Sequence, residues 1–341
     1  MVVTRTLLAG MCTAGILFGL GATGRAIEQH AYGPELEGFA YPYDVQRFAF
    51  KSLLQDLAMA YMDVRPSAPN GRTAVLLHGA NFCAATWSET IDILRAAGYR
   101  VIAPDQIGFC KSGKPEQYQF SFAQLATNTK ALLNSLGIAR ATVIGHSMGG
   151  MLGMRYALMF PDSVGQLVLV NPLGLEDWQA AGVPFVELDQ TFESEKRTSF
   201  ESIKQYQLKF YYDGAWKPED DRWVEMLAGM YAGPGTSVVA WSRARAAEMI
   251  FTQPVFYELD RIRPPTLLLI GQKDRTAPGA ARAAPEVAGK LGNYPELGRA
   301  AAARIPKATL VEFADLSHAP QIQAPALFHD VLLKGLTAVP H

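Results

Sequence analysis

Apolar and polar residues alternate in blocks along this chain, and the blocks change period in a regular way. Short runs of mostly apolar residues at Val45–Phe50, Leu57–Val64, Ala74–Leu77, Val101–Pro104, Ala141–Ile144, Val164–Val170, Thr266–Ile270 and Thr309–Phe313 predict eight strands. From the third onward they alternate with helical segments. Runs such as Thr266-Leu-Leu-Leu-Ile270 are continuously apolar, as a strand buried on both faces requires. One intervening helix shows its period openly. Phe122, Leu125, Thr129, Leu132 and Leu136 share a face, and Gly137 stands where a C-cap is wanted. Strand–helix alternation predicts a mostly parallel sheet with helices on both faces. Ligands bind such sheets outside the carboxyl ends of the strands.

Between Pro172 and Pro264 the alternation stops. No strand run occurs there, and 15 of the 91 residues from 173 to 263 are Phe, Tyr or Trp, against 35 of 341 overall. Gln205–Tyr212 and Trp241–Phe251 have helical character. Residues 173–263 are therefore expected to form a helical cap inserted between a first core segment, 27–172, and a second, 264–341. The cap would roof the site and give it an apolar, aromatic wall, while most of its aromatics build its own small core.

The chemistry is concentrated at Val143-Ile-Gly-His-Ser-Met-Gly-Gly150. Ser147 is the centre of a G-x-S-x-G pentapeptide between a strand run and a helix. A serine on that turn adopts a cramped backbone, the glycines keep side chains clear, and its hydroxyl stands at the sheet edge near a helix N-terminus. A serine nucleophile needs a base, which is usually histidine. Of the six histidines, His30 and His341 lie near the termini, and His146 adjoins the serine with its side chain directed elsewhere. His78 ends a strand as a structural turn residue, and His329 sits on an amphipathic helix facing solvent. His318 remains, in the loop after Thr309–Phe313. The orienting acid is expected before it, at another strand end. Asp274 follows Thr266–Ile270 directly, with Glu176 or Asp177 beyond Val164–Val170 as the alternative. The order Ser147, Asp274, His318 fits one of several folds that carry such a triad.

Four blocks in this order carry a resemblance. They are Leu76-Leu-His-Gly-Ala80, Ala103-Pro-Asp-Gln-Ile-Gly-Phe-Cys-Lys-Ser112, Gly145-His-Ser-Met-Gly149, and the pair Gly271-Gln-Lys-Asp274 with Ser317-His-Ala319. Over residues 45 to 338 the chain resembles an α/β-hydrolase-fold serine hydrolase with a helical cap, similar to esterases, carbon–carbon bond hydrolases and epoxide hydrolases. The resemblance implies a mostly parallel eight-stranded sheet. It also implies acyl transfer through Ser147, His318 and Asp274, with an oxyanion hole from the N–H groups of Met148 and Ala80. Asn81 and Phe82 become candidate pocket residues. Epoxide hydrolases and haloalkane dehalogenases use aspartate where Ser147 stands, which counts against both activities. The favoured substrate is an ester or lactone of a bulky apolar or aromatic acid. The alternative is a vinylogous diketone cleaved at a carbon–carbon bond, and a binding protein on the same scaffold is the reading outside enzymes.

Relatives of this type often carry glycine where Cys110 stands. In the fold resembled, the strands before Cys83 and Cys110 are neighbours. The two thiols are thus candidates for a disulfide, with two buried free thiols as the alternative.

Composition narrows the partners. The chain is 49% apolar and 18% charged with a net charge of −1. It offers no electrostatic reason to bind nucleic acid or an anionic membrane. It has no Gly-rich dinucleotide loop, no phosphate loop with a following Lys and no His/Cys cluster at metal spacing, so no cofactor or metal is expected. The N-terminus differs from the rest. Met1-Val-Val-Thr-Arg5 is followed by an uncharged stretch, Leu7 to Ala22, which is short for a membrane span but suits a secretory leader. Small residues up to Ala26 offer cleavage sites. Residues 1–26 are expected to be a signal peptide that meets the membrane only during export, with an uncleaved anchor as the alternative. Removing them would also remove Cys12.

Overall fold

The computed structural model describes residues 30–337, so the expected leader lies outside the described residues. Eight strands form one sheet: β1 (Val45–Ser52), β2 (Gln55–Val64), β3 (Thr73–Leu77), β4 (Arg100–Pro104), β5 (Ala141–His146), β6 (Val164–Val170), β7 (Thr266–Gly271) and β8 (Ala308–Phe313). Their order is β1-β2-β4-β3-β5-β6-β7-β8. β1 and β2 pair antiparallel, as do β2 and β4, and the remaining neighbours are parallel. Every apolar run proposed as a strand is one, displaced by at most two residues at either end. The central strands β5 and β7 are buried at all positions, whereas the edge strands β1 and β8 are largely half-exposed or exposed.

Alternation along these strands divides the core into two layers. Val75, Leu77, Val143, Leu167, Leu169 and Leu268 face one side, under α2 (Phe122–Ser135) and α3 (Met148–Met159). Leu76, Ile144, Val168, Val170, Leu267 and Leu269 face the other, under α1 (Ser88–Ala96) and the C-terminal helix. Helix α2 buries Phe122, Leu125, Thr129 and Leu132, and its first turn is capped by Ser121, whose hydroxyl accepts the Gln124 N–H.

Between β6 and β7 the chain forms four helices and no strand: α4 (Leu188–Glu195), α5 (Phe200–Phe210), α6 (Asp221–Ala232) and α7 (Thr236–Thr252). After β7 come α8 (Pro285–Ala288), α9 (Tyr294–Arg304), α10 (Pro320–Gln323) and α11 (Pro325–Thr337). No helix among the described residues is long and apolar enough to cross a membrane.

The structure corrects one expectation about the histidines. His329 does not face solvent; it is buried on α11 with Phe328 and Leu332, and Thr90 Oγ1 of α1 lies 2.9 Å from its Nε2. The helix packs a wider face than its period suggested, because α1 crosses it there. Burial pushes the imidazole down to about 4. The unfolded value is higher, about 6.5, so the unfolded chain takes up the proton first as pH falls. The stability from this group is complete above about pH 6.5 and is lost towards pH 4. His329→Ala should cost about 2–3 kcal/mol at neutral pH through the cavity and the stranded Thr90 hydroxyl. It should also flatten that acid loss while leaving turnover near parental. Urea titrations at pH 7.5 and 4.5 measure both effects, and equal acid sensitivity in parent and variant would refute the assignment.

Candidate active site

Ser147 leaves β5 at φ 56° and ψ −121°, in the left-handed half of backbone space where a side chain is strained. The surroundings hold it there. Its N–H donates to Val170 O at 3.1 Å, and its carbonyl accepts the N–H groups of Gly150, Met151 and Leu173 at 2.9, 3.2 and 3.0 Å. Two glycines make the turn possible by close approach. A Cβ on Gly145 would stand 2.2 Å from Gly149 O, and one on Gly149 would stand 2.1 Å from Leu77 O. Helix and strand could not meet this closely around any larger residue.

His318 and Asp274 come from the loops that follow β8 and β7, and both are fully buried. The His318 Nδ1–H donates to Asp274 Oδ2 at 2.7 Å. The same oxygen accepts from Asn171 Nδ2 at 2.8 Å, and Oδ1 accepts the Thr276 N–H at 2.8 Å. With Nδ1 committed to the carboxylate, Nε2 carries the lone pair; that atom is buried and has no hydrogen-bond partner among the described residues. Neither alternative acid reaches the histidine. Glu176 accepts from Trp178 Nε1 and the Gly292 N–H, and Asp177 accepts from Tyr257 and Ala180. Neither has a hydrogen bond to His318 among the described residues.

Two residues that support this pair were not anticipated. Asn171, the first residue after β6, donates to Asp274 and accepts the Gly271 N–H through its Oδ1 at 3.0 Å. His146 does turn away from the serine, but it meets the base from below. Its Nε2 lies 2.8 Å from His318 O, and because a carbonyl can only accept, that nitrogen carries the proton. Burial first, and then the neighbouring His318, hold the His146 imidazole well below its usual range, so it acts as a neutral strut. A polar residue directly after an apolar strand was the available signal for Asn171.

The loop after β3 supplies the other half of the site. His78 is the turn residue expected: it is buried, its Nδ1–H donates to Gly79 O at 2.9 Å, and its Nε2 accepts the Gln106 N–H at 3.0 Å. The next N–H groups, of Ala80 and Asn81, donate to no acceptor among the described residues, and neither does the N–H of Met148 at the start of α3. Asn81 Nδ2 donates to Tyr211 Oη at 3.0 Å, and the Tyr211 ring in turn lies 4.7 Å from the His318 ring, tilted 35° to it. Phe82 departs from expectation: it is not among the residues that line the cavity at Ser147. The loop turns inward through its N–H to Gly79 O, which buries the ring against His146 and Tyr211.

Cys83 and Cys110 are joined by a disulfide, with their Cα atoms 5.7 Å apart. Cys110 lies at φ 48°, a region that favours glycine; here the bridge holds the strained residue. Asp105 fastens the same two loops, accepting the N–H groups of Ala84 and Lys111 and the Tyr41 hydroxyl. Thiol titration of the unfolded, unreduced chain from residue 27 should find no free sulfhydryl, and two after reduction. Two before reduction would disprove the bridge.

A cavity of about 200 Å3 opens on Ser147. Ala80, Asn81 and Leu173 line it, and the segment between β6 and β7 adds Phe185, Tyr206, Ile250 and Phe251. Arg282 lies on its wall with its guanidinium 5.5 Å from the Phe251 ring and with no ion pair or side-chain hydrogen bond among the described residues.

This strand order, the strained serine and the His–Asp pair at neighbouring strand ends describe one architecture. The model of the alpha/beta hydrolase fold family matches residues 74–325, and the chain belongs to that family. A solved structure described as a probable hydrolytic enzyme of Pseudomonas aeruginosa PAO1 is 61% identical, covering 90% of this chain and 99% of its own with a TM-score of 0.90. A 2-hydroxy-6-oxo-6-phenylhexa-2,4-dienoate hydrolase of Comamonas testosteroni is 33% identical over 149 residues, 43% of this chain and 52% of that protein. This chain therefore spans about half the length of the curated relatives it matches. The enol-lactonase of Burkholderia xenovorans LB400 superposes with a TM-score of 0.64 at 21% identity, covering 82% of this chain and 97% of its own, a likeness of fold alone. The chain has the fold of this family over most of its length.

Proposed function

We propose that the protein hydrolyses an ester or lactone of a bulky apolar or aromatic acid by acyl transfer through Ser147, His318 and Asp274. The observation that carries this reading is the pairing of a strained serine with a buried His318–Asp274 couple whose Nε2 is left without a hydrogen-bond partner among the described residues. His318 takes the proton from Ser147 as Oγ attacks the carbonyl carbon. The N–H groups of Ala80 and Met148 receive the oxyanion. When the tetrahedral adduct collapses, the proton passes to the leaving alkoxide. Water then attacks the acyl-enzyme with His318 as base, and the acid departs. The apolar wall of Leu173, Phe185, Ile250 and Phe251 supports a bulky acyl group.

A second reading is hydrolysis of a carbon–carbon bond in a dienoate with the same triad. It is favoured by the name of the Comamonas relative and by Arg282, a free cation in the cavity wall suited to a substrate carboxylate. One experiment separates the two. A fluorophosphonate probe should label Ser147, and p-nitrophenyl esters of rising chain length should turn over. Labelling with dienoate cleavage but no ester turnover would establish the second reading, and no labelling would sink both.

We also propose that residues 1–26 are removed on export. The uncharged run Leu7–Ala22 and a disulfide, which needs an oxidising compartment, support this. A mature protein from the cell that still begins at Met1 would refute it.

A further inference from the structure

The geometry points to Arg243, on cap helix α7, as the positioning residue of the oxyanion hole; this rests on the proposed acyl-transfer reading and deepens it. Arg243 is a largely buried arginine, its side chain 15% exposed, on a helix far in sequence from the catalytic loops. Its guanidinium reaches out of the cap into the loop after β3. Nη1 donates to the Ala80 carbonyl, and Nη2 donates to Asn81 Oδ1 at 2.5 Å. The carboxylate of Glu195 stands 4.0 Å from Nε, and the Phe109 ring lies 5.7 Å below the guanidinium carbon. Removing a guanidinium from water is costly unless its bonds repay it. Here those bonds go to the loop that carries the oxyanion donors.

The consequence follows from peptide planarity. In a trans peptide the C=O and the following N–H point in opposite directions, so fixing one fixes the other. The Gly79 carbonyl is held by His78 Nδ1–H and the Phe82 N–H, which sets the direction of the Ala80 N–H. The Ala80 carbonyl is held by Arg243, which sets the direction of the Asn81 N–H. Two successive peptides are thus pinned through their oxygens while their N–H groups remain without acceptors. His78 pins the first from the core, and Arg243 pins the second from the cap. Through Asn81 the guanidinium also reaches Tyr211, whose ring lies beside that of His318. Arg243 therefore fixes the Asn81 N–H as a third donor of the hole, beside those of Ala80 and Met148.

The test compares Arg243→Gln and Arg243→Lys with the parent for fluorophosphonate labelling of Ser147, kcat and KM on p-nitrophenyl butyrate, and Tm. For Arg243→Gln, labelling and kcat should each fall about 30- to 100-fold with KM within about threefold, since removing a donor outright costs about 10^2- to 10^3-fold and a misplaced one costs less. Arg243→Lys, which keeps the charge but can serve only one of the two acceptors, should lose about tenfold. A rise in KM with kcat and labelling unchanged would make Arg243 a wall residue and overturn the proposal, as would parental labelling in both variants. If Arg243→Gln fails to fold, Arg243→Lys decides on the same measurements. A parent that takes no label would instead overturn the acyl-transfer reading on which this inference rests.

Discussion

Ser147→Ala should lower kcat by several orders of magnitude while the protein stays folded with an unchanged or slightly raised Tm. The members of a triad act as one unit, so losing the nucleophile costs nearly the whole of its contribution. The stability side follows from the backbone. Ser147 sits at φ 56°, where alanine is no more strained than serine, and the hydroxyl forms no hydrogen bond that the core depends on. Steady-state assays on the best ester, with circular dichroism on the same sample, measure both. Retention of a tenth of the parental rate would remove Ser147 from the mechanism.

Asp274→Asn should cost about 10^4-fold in kcat, the scale seen when a triad acid loses its hold on the histidine tautomer. The asparagine would keep the shape and could still accept from Thr276. Its amide group, however, would meet two donors at the oxygen's place, His318 Nδ1–H and Asn171 Nδ2. The simplest relief is for His318 to move its proton to Nε2, which then cannot act as a base. Asp177→Asn is the matched comparison, because Asp177 is bonded to Tyr257 and the Ala180 N–H rather than to the histidine. It should stay within about twofold of parent. If the Asp177 variant were the crippled one, the acid would have to be placed after β6.

The residues that sequence reasoning placed and those it missed differ in the range of their contacts. The central strands could be read because burial on both faces leaves an unbroken apolar run, and Ser147 and Asp274 could be read because each follows such a run, whereas His318 follows the half-exposed edge strand β8 and was reached by eliminating the other histidines. His146, Asn171 and Arg243 act through partners 172, 103 and 162 positions away, and no local period records such a pairing. An arginine on a helix reads as solvated surface until a loop from the other end of the chain is laid against it. His329 was misplaced for a related reason: one face of an amphipathic helix looks polar only when nothing packs there, and α1 does. Phe82 shows the opposite error, an apolar loop residue assigned to the cavity when the turn at Gly79 sends it into the core.

Asn171 and Gly271 are the two ends of the neck from which the cap segment departs and to which it returns, and the Asn171 side chain laces them together. Asn171 also donates to Asp274, so the neck and that carboxylate are held as one piece. The segment between β6 and β7 reaches the neighbouring loop as well: Ser317 Oγ donates to Phe210 O, the Ala319 N–H donates to Tyr211 O, and the Tyr211 ring lies 4.7 Å from that of His318. With Arg243 bonded to Ala80 O, exchanging that one segment would be felt at Asp274, at His318 and in the loop after β3 together.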